Sequence, residues 1–403
     1  MSLPQSLAVS LRRFSDGICS TQRVLGQQTA YPSASVLQFN LPRQGTLLLD
    51  SISLLADFFT THSAVLALTT PSFHSQIFRK VDFICGGTSV SLNSLSDYGF
   101  AYLYSKLYSN TKAKSDYEQS VGLAGSVDVS TINGSVTTPI VLANDWLGFL
   151  GAQHMNVLPL DLLPECSIVV SLHDRSRWTT ADNSAVGTME LRNARLMFKM
   201  ISFADNMLSK LWAQKLSVSS VVIPFQNISY AEGSASSATA NTYNGTVNTQ
   251  SLDLIMVGQR KGDYDTVYAN RWLSSAGNNT TTVNNQVYFN GVPISSWGLV
   301  PIESLIETQA ALEGVGGNIL YSPDLATFAN YRDSFFVQVH KMGTPVLEAE
   351  ARGMVTGVPT YGQSLEISYL MSGGDGTSKK PFIMCFYTST MELGAGKQVA
   401  VAP

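Results

Sequence analysis

The sequence predicts an all-β protein of two domains, and three observations support this prediction. The chain has 403 residues, which exceeds the usual domain size of roughly 100 to 200 residues and excludes a single small core. Apolar and polar residues alternate along many short segments, as is typical of strands with one buried face. Long polar stretches separate these segments. Many short strands joined by polar loops indicate sandwiches or barrels.

The composition excludes several classes of protein. Hydrophobic residues make up 44% of the chain and charged residues 13%, so we expect packed cores and no extensive disorder. The net charge of −4, without a long basic run, argues against a protein that mainly binds nucleic-acid phosphates in a sequence-specific or general way. The longest apolar candidate, 47–59, is interrupted by Asp50 and Asp57 and is too short to cross a bilayer. The N-terminus has no continuous apolar stretch of the kind found in secretory signals.

The strands fall into two kinds. Segments 37–41, 189–192 and 365–369 alternate between apolar and polar residues, so each predicts a strand with one buried face. Segments 167–172 and 382–387 are apolar on both faces, which is typical of strands deep in a sandwich or at a subunit contact. Three polar stretches between strands are predicted to be long surface loops: 126–138, 233–249 and 274–285.

Four short helices are predicted to interrupt the strands, at 97–110, 205–216, 301–312 and 323–332. The second of these opens on the capping residue Asp205, lies near the middle of the chain and precedes a strand at 219–225. It therefore predicts a domain boundary.

A weak internal repeat indicates two copies of one unit. Val81-Asp-Phe83, with Gly86 and Gly87 after it, resembles Val287-Tyr-Phe289 with Gly291 after it, at an offset of 287 minus 81, or 206 residues. A helical segment follows each copy, and each half ends on a strongly apolar strand.

Residues capable of catalysis or metal binding do not form a known motif. The four cysteines, Cys19, Cys85, Cys166 and Cys385, have no metal-ligand or C-x-x-C spacing and are predicted to be buried, reduced thiols. The most suggestive constellation is His173-Asp174-Arg175, which we interpret as a strand end because no nucleophile motif accompanies it. The glycines at 314–317 and Asp375 are predicted to lie in turns. The sequence therefore predicts no enzyme and no cofactor, and it leaves metal binding undecided.

The N-terminal segment 1–30 has a different pattern from the rest of the chain. Its apolar residues recur at spacings of three and four, which places them on one face of a helix next to two arginines. The predicted contact residues of this amphipathic arm are Leu3, Leu7, Leu11, Arg12, Arg13, Phe14 and Ile18. Two interpretations stay open: the helix packs on its own domain, or it reaches a neighbouring subunit or a membrane surface, where the arginines face anionic headgroups.

A family resemblance rests on the order and spacing of several segments from about residue 30 to 395. These are the proline–leucine turn 157–164 before strand 167–172, the strand 191–203 before the helix ending at Leu216, the equivalent segments at Val81 and Val287, and the final strand 385–393. Together they resemble the double jelly-roll major capsid proteins of icosahedral double-stranded DNA viruses, the lineage of tectiviruses and adenoviruses. The resemblance implies two side-by-side eight-stranded jelly-roll sandwiches with a few short helices and long surface loops.

The resemblance also implies a function and a set of partners. Three chains form a trimer with a pseudo-hexagonal outline, and trimers tile an icosahedral shell that holds penton and minor capsid proteins and, in some viruses, an internal lipid membrane reached by the N-terminal arm. Such a chain is a structural protein of the virion, assembled in the cytoplasm or nucleus of its host. The implied domains are the arm 1–30, the first jelly roll 31–204, a helical connector 205–216, the second jelly roll 217–395 and a tail 396–403.

An alternative from another class is a secreted two-domain β-sandwich that binds or cleaves polysaccharide. It predicts a monomer with a groove lined by at least two of the five tryptophans, Trp146, Trp178, Trp212, Trp272 and Trp297. A bacterial adhesin is a third interpretation, and it would require a sorting or secretion signal.

Overall fold

The computed structural model shows a mostly β-stranded chain, as the sequence predicts. It describes residues 17–61, 66–70, 77–90, 97–109, 125–129, 136–144, 146–151, 157–174, 177–178, 188–203, 207–265, 273–276, 284–313, 328–343, 357–362, 365–372 and 375–402.

The first half of the chain contains thirteen described strands and one α-helix. In chain order these are β1 (Gly17–Leu25), β2 (Ala30–Pro32), β3 (Val36–Asn40), β4 (Thr46–Leu48), β5 (Ser53–Thr60), β6 (Leu66–Thr70), β7 (Phe78–Cys85), β8 (Thr88–Ser89), α1 (Tyr98–Ser109), β9 (Gly125–Val129), β10 (Val136–Ala143), β11 (Val157–Pro159), β12 (Cys166–Leu172) and β13 (Met189–Phe203).

The second half follows a connecting helix, α2 (Met207–Val218). Its elements are β14 (Val221–Glu232), β15 (Asn241–Val247), β16 (Leu252–Lys261), β17 (Asn284–Phe289), β18 (Val292–Pro293), α3 (Pro301–Glu313), α4 (Phe328–Ser334), β19 (Gln338–Lys341), β20 (Leu365–Ser372), β21 (Lys379–Gly394) and β22 (Gln398–Ala402). Each of the four predicted helices is confirmed over its described residues, while 205–206 and 323–327 lie outside them. Helix α3 begins with proline at its first position, where the missing N–H costs no hydrogen bond.

The two halves have matching sheets. Each has a large sheet built on its long last strand: β13 pairs with β1 and β5, and β21 pairs with β14 and β16. In each half a smaller four-stranded sheet has the corresponding order, β3-β12-β7-β8 in the first and β15-β20-β17-β18 in the second. Among described residues the large sheets have seven and five strands. The expected eight per sandwich is exceeded because three-residue strands and β22 extend the large sheets.

The internal repeat seen in the sequence corresponds to two equivalent hairpins. The strands β7 and β8 are joined by Gly86 and Gly87, and β17 and β18 by Asn290 and Gly291. All four turn residues have positive φ, between 50° and 83°, as a two-residue type I′ turn requires. After each hairpin the chain runs into a helix, α1 or α3.

The large sheet of the second half is buried on both faces. Along β21 the side chains alternate between two apolar clusters: Phe382, Met384 and Phe386 contact the cluster shared with the first half, and Ile383 and Cys385 contact the core between the two sheets of the second half. This confirms the prediction that segment 382–387 is apolar on both faces. Its second face is covered by the first half of the same chain.

Aromatic side chains form that contact. Phe100 on α1 lies 5.2 Å from Phe382 between ring centroids, and Phe149 lies 4.9 Å from Phe83 in its own half and 5.3 Å from Phe225 on β14. Such edge and stacked pairs add to the free energy of burial. The two halves therefore share one continuous core.

The structure differs from the sequence prediction at one residue of the N-terminal arm. Ile18, predicted on the apolar face of a helix, lies in strand β1, which pairs with β13 from Gly17↔Phe203 to Leu25↔Arg195, and its side chain is 70% exposed. Ile18 is the only residue of the predicted helical face that lies in β1, and a single residue carries no period that distinguishes a helix from a strand. The other arm residues, Leu3, Leu7, Leu11, Arg12, Arg13 and Phe14, lie outside the described residues.

The predicted loops are partly strands. Segment 233–249 contains β15, and Thr249 is fully buried. Segment 126–138 overlaps β9 and β10, and Ser274 at the start of 274–285 is fully buried. These polar residues pair in sheets because cross-strand backbone hydrogen bonds do not depend on apolar side chains. The last residues, predicted as a tail, contain β22, which pairs with β21.

We predict that Phe149→Ala lowers the free energy of unfolding by about 3–5 kcal/mol, because it leaves a cavity between the two halves. The measurement is urea unfolding followed by tryptophan fluorescence. Val218→Ala, at a position that is 85% exposed, is the control and should change stability by less than about 0.5 kcal/mol. Equal effects of the two substitutions would contradict the shared core.

Candidate functional site

Charged side chains from both halves meet beside the shared core. We call this group the interbarrel cluster. Its members are Asp97, His173 and Arg177 from the first half and Tyr230, Glu232, Arg260, Tyr264, Asp265 and Lys380 from the second. It is the largest group of interacting ionisable residues among those the structure describes.

Arg260 is the centre of the interbarrel cluster. It lies near the end of β16 and its side chain is 0% exposed. One guanidinium nitrogen, Nη1, donates to Asp97 Oδ2 at 3.0 Å and to the Tyr230 hydroxyl at 3.1 Å. The guanidinium also lies over the rings of Phe100 and Tyr264, at 3.9 Å and 3.5 Å from their centroids. A buried cation needs such partners because its desolvation is costly.

Asp97 links the cluster to helix α1. Its Oδ1 accepts a hydrogen bond from the Phe100 backbone N–H at 3.1 Å, which caps the helix, and lies 3.4 Å from His173 Nε2. Burial raises the pKa of this carboxyl, but Arg260, His173 and Arg177 outweigh burial and hold the pKa well below its ordinary value. Asp97 is therefore ionised whenever the protein is folded near neutral pH.

A second layer of partners surrounds Arg260. The Tyr230 hydroxyl donates to Glu232 Oε2 at 2.8 Å and the Tyr264 hydroxyl donates to Glu232 Oε1 at 2.7 Å. Burial is the main reason that the pKa values of both tyrosines are raised, so both stay protonated donors. The positive charge of Arg260 is therefore balanced by nearby carboxylates and hydrogen-bond acceptors.

Half-exposed Asp265 closes the rim of the cluster. Its Oδ1 lies 2.5 Å from Arg177 Nη2, and its Oδ2 lies 3.4 Å from Lys380 Nζ. Arg177 belongs to the first half of the chain and Asp265 to the second, so this ion pair also crosses between the halves. Arg177 is buried and Asp265 is half-exposed, so solvent screens this pair more than the pair of Asp97 with Arg260. The buried Asp97–Arg260 pair therefore contributes more to the contact between the two halves than the Arg177–Asp265 pair does.

The constellation singled out in the sequence is only partly brought together. His173 joins the interbarrel cluster, Asp174 has an exposed side chain, and Arg175 lies outside the described residues. Sequence analysis missed Asp97 and Arg260. Their signals were a capping residue at the start of a helix and an arginine that follows the apolar run of β16 directly.

The ionisable groups of the interbarrel cluster join the two halves of the chain. The acids and bases of the cluster contact one another, and no serine, threonine or cysteine is among its members. Within the described ranges no group of three or more histidine, cysteine or acidic residues could hold a metal ion. None of the described helices has the length and apolar character needed to cross a membrane.

The tryptophans do not form an exposed platform in the described part of the chain. Trp146, Trp178 and Trp212 are buried, and Trp297 is 60% exposed. Trp272 lies outside the described residues. The groove lined by two or more tryptophans that a polysaccharide-binding protein would need is therefore not seen in the ranges described above.

Exposed apolar side chains occur around the start of helix α3. Ile302 and Ile306 are one turn apart on the same helix face, and Ile306 is 66% exposed. The Trp297 indole N–H lies 3.4 Å from the carboxylate of Glu303, the residue after Ile302. We call Trp297, Ile302 and Ile306 the α3 apolar patch. Clustered exposed apolar residues are typical of protein–protein contacts.

We predict that Asp97→Asn lowers the free energy of unfolding by up to about 3–5 kcal/mol at neutral pH, because buried Arg260 then loses its closest counter-ion and keeps only Glu232, at 3.7 Å. The folded-state pKa of Asp97 lies below the ordinary value of 3.8. Its contribution to stability is therefore complete above that pH and is lost as the pH falls towards the folded-state pKa.

The measurement is urea unfolding between pH 7 and about pH 3, the range that spans the unfolded-state pKa of aspartate. The difference between the parent and Asp97→Asn should shrink as the pH falls. Exposed Asp174→Asn, next to His173, is the matched control and should follow the parent curve. A constant difference at all pH values would contradict an ionised Asp97.

Comparison with solved structures identifies the fold. The PBCV-1 virus capsid matches with a TM-score of 0.63 and 11% identity, covering 96% of this chain and 97% of that chain. The Faustovirus major capsid protein matches with a TM-score of 0.61 and 8% identity, covering 94% and 90%. The mavirus major capsid protein matches with a TM-score of 0.53 and 9% identity, covering 100% and 91%.

These likenesses extend over both halves of the chain and over nearly the whole of each neighbour. No protein-family model and no curated protein matches the sequence. At identities of 8–11% the similarity concerns the fold. The chain has the double jelly-roll fold of viral major capsid proteins.

Proposed function

We propose that this chain is the major capsid protein of an icosahedral double-stranded DNA virus and acts by assembly, without catalysis. One observation carries the proposal: both jelly rolls, in order, align over at least nine-tenths of chains described as a virus capsid or a major capsid protein. A likeness restricted to one sandwich would fit many unrelated proteins, because single sandwiches serve many functions.

The shared core supports a role as a building block. A shell subunit has to transmit lateral forces between its two sandwiches without hinging. Here the aromatic contact at Phe100 and Phe382 and the buried Asp97–Arg260 pair join the sandwiches directly. Three such chains place six sandwiches around a closed threefold axis and give a pseudo-hexameric trimer.

The exposed apolar residues support contacts between copies. We assign the α3 apolar patch to a contact within or between trimers, since apolar residues are enriched at the centre of obligate interfaces. Weak contacts of this kind become strong in a shell because they are repeated over many equivalent copies. Neighbouring trimers, penton proteins and minor capsid proteins are the partners in this proposal, and the virion is its location.

The N-terminal segment is the proposed link to a membrane or a neighbouring subunit. The pair Arg12 and Arg13 lies between its apolar residues Leu11 and Phe14 and would face anionic headgroups. Strand β1 starts at Gly17 and pairs with β13. Residues 17–25 of the predicted arm are paired in this strand, so we assign the proposed contact to 1–16.

We predict a stable trimer of about 130 kDa, three times the chain mass of 43.5 kDa. The measurement is light scattering on the purified chain over a hundredfold dilution. A closed trimer with an apolar interface keeps its mass on dilution. A monomer at every concentration would contradict the capsid proposal.

The same measurement tests the α3 apolar patch. Ile306→Asp should lower the fraction of trimer, or of larger assemblies, at equal concentration. Val218→Asp replaces an equally apolar and 85% exposed residue outside the patch and should leave the mass unchanged. If both variants assemble like the parent, the patch is not a subunit contact.

We predict that removal of residues 1–16 leaves the trimer folded and abolishes its binding to vesicles that contain anionic lipid. The double variant Arg12→Gln, Arg13→Gln should weaken vesicle binding about 30-fold, since each basic residue near such a surface contributes about 1 kcal/mol. Neutral vesicles are the control. Unfolding of the truncated chain would show that the segment belongs to a core, and unchanged binding would remove it from the membrane contact.

A further inference from the structure

Two cysteines that are far apart in the sequence face each other in the first jelly roll. Cys85 is the last residue of β7 and Cys166 is the first residue of β12, and they are directly paired in the antiparallel ladder. Both side chains are buried, and their Sγ atoms lie 3.3 Å apart. Of the other two cysteines, Cys19 is exposed and Cys385 is buried in the second half.

The register places this pair where a cross-strand disulfide fits. The Gly86 N–H donates to the Glu165 carbonyl oxygen at 2.9 Å, so Cys85 and Cys166 form the adjacent, non-hydrogen-bonded pair of the ladder. Residues opposite each other at such a position have Cα atoms about 4.5 Å apart. Disulfides span Cα distances of about 4.4–6.8 Å. Bond formation therefore needs rotation of the two side chains and little movement of the strands.

The two thiols are chemically unequal. The Cys166 thiol donates towards the Cys85 sulfur, and this hydrogen bond lowers the pKa of Cys85 although burial opposes the change. The same hydrogen bond, together with burial, raises the pKa of Cys166. Cys85 is accordingly the thiol that ionises first and reacts as the nucleophile. Both residues are at strand ends, where local opening gives small reagents access.

We propose that Cys85 and Cys166 are a redox site, reduced during synthesis and joined by a disulfide after exposure to a low-molecular-weight disulfide outside a reducing compartment. The Cys85 thiolate attacks the reagent RSSR, which gives a Cys85–SR mixed disulfide and releases RS⁻. The Cys166 thiolate then attacks the Cys85 sulfur and releases the second RS⁻. Two protein thiols are oxidised and one RSSR is reduced, and the two protons lost by the protein thiols are taken up, through solvent, by the two RS⁻ to give two RSH.

The bond would close a large loop. Its ends are 81 positions apart, and cross-links that close long loops restrict the unfolded chain most. Such a bond would form in a chain that folds in a reducing cell and then enters an oxidising medium. The bond is inferred from the strand register and the distance between the two sulfur atoms, and it does not depend on the proposed capsid role.

The test uses the full-length chain, treated with oxidised glutathione and then unfolded and alkylated with iodoacetamide. Peptide mapping without reduction should show a Cys85–Cys166 cross-linked peptide, a glutathione adduct on exposed Cys19 and an alkylated Cys385. The adduct on Cys19 reports that the reagent has acted. Recovery of Cys85 and Cys166 as alkylated thiols, or as separate glutathione adducts, would overturn the proposal.

Thermal unfolding gives a second readout. Oxidation should raise the unfolding temperature of the parent by about 5–10 °C. The matched control Cys385→Ala, which removes a buried thiol without a sulfur partner, should show the same rise, and Cys85→Ala should show none. Dithiothreitol should reverse the rise. An equal response of Cys85→Ala and Cys385→Ala would show that the stabilisation does not come from this bond.

Discussion

The structure depends on a sheet that has to be apolar on both of its faces. Alternate residues of β21 contact two different cores, so Phe382 and Met384 face the first half of the chain while Ile383 and Cys385 face the second. A sheet with one solvated face would have polar residues at half of these positions. Because the second jelly roll exposes such a surface when it is alone, the two halves have to pack on each other to bury it.

The interbarrel cluster restricts how the two sandwiches are oriented relative to each other. Apolar contact is roughly proportional to buried area and tolerates small rotations, whereas Arg260 has partners at fixed distances in both halves. Asp97 is hydrogen-bonded to the start of α1 and to Arg260 at the same time. A rotation of one sandwich against the other would separate Arg260 from Asp97, its closest carboxylate, and leave it only the partners in its own half, Tyr230 and Glu232. We interpret the cluster as the feature that selects one relative orientation of the sandwiches.

The sequence predicts local structure well where side-chain period and turn chemistry agree. The alternating strands and the helices follow from patterns within about ten residues, and the repeat noted at Val81 and Val287 corresponds to two equivalent hairpins. Sequence-based prediction fails where a polar segment becomes a strand because it pairs with a segment that is distant in the sequence. Strand β15 has few apolar residues and forms because β20 supplies its backbone hydrogen bonds. Ile18 belongs to a strand because β13 lies beside it, more than 170 positions along the chain.

The candidate sites are also non-local, which explains why they escape sequence analysis. Asp97 and Arg260 are 163 positions apart, and each looks like an ordinary residue in its own segment. The cysteines, read singly, look like core thiols. Their pairing follows from the register of β7 against β12, in which Phe83 opposes Ile168 and Val81 opposes Val170 on the buried face. A slip by one residue would turn these apolar side chains towards solvent. The same burial that determines the register therefore also brings the two thiols together.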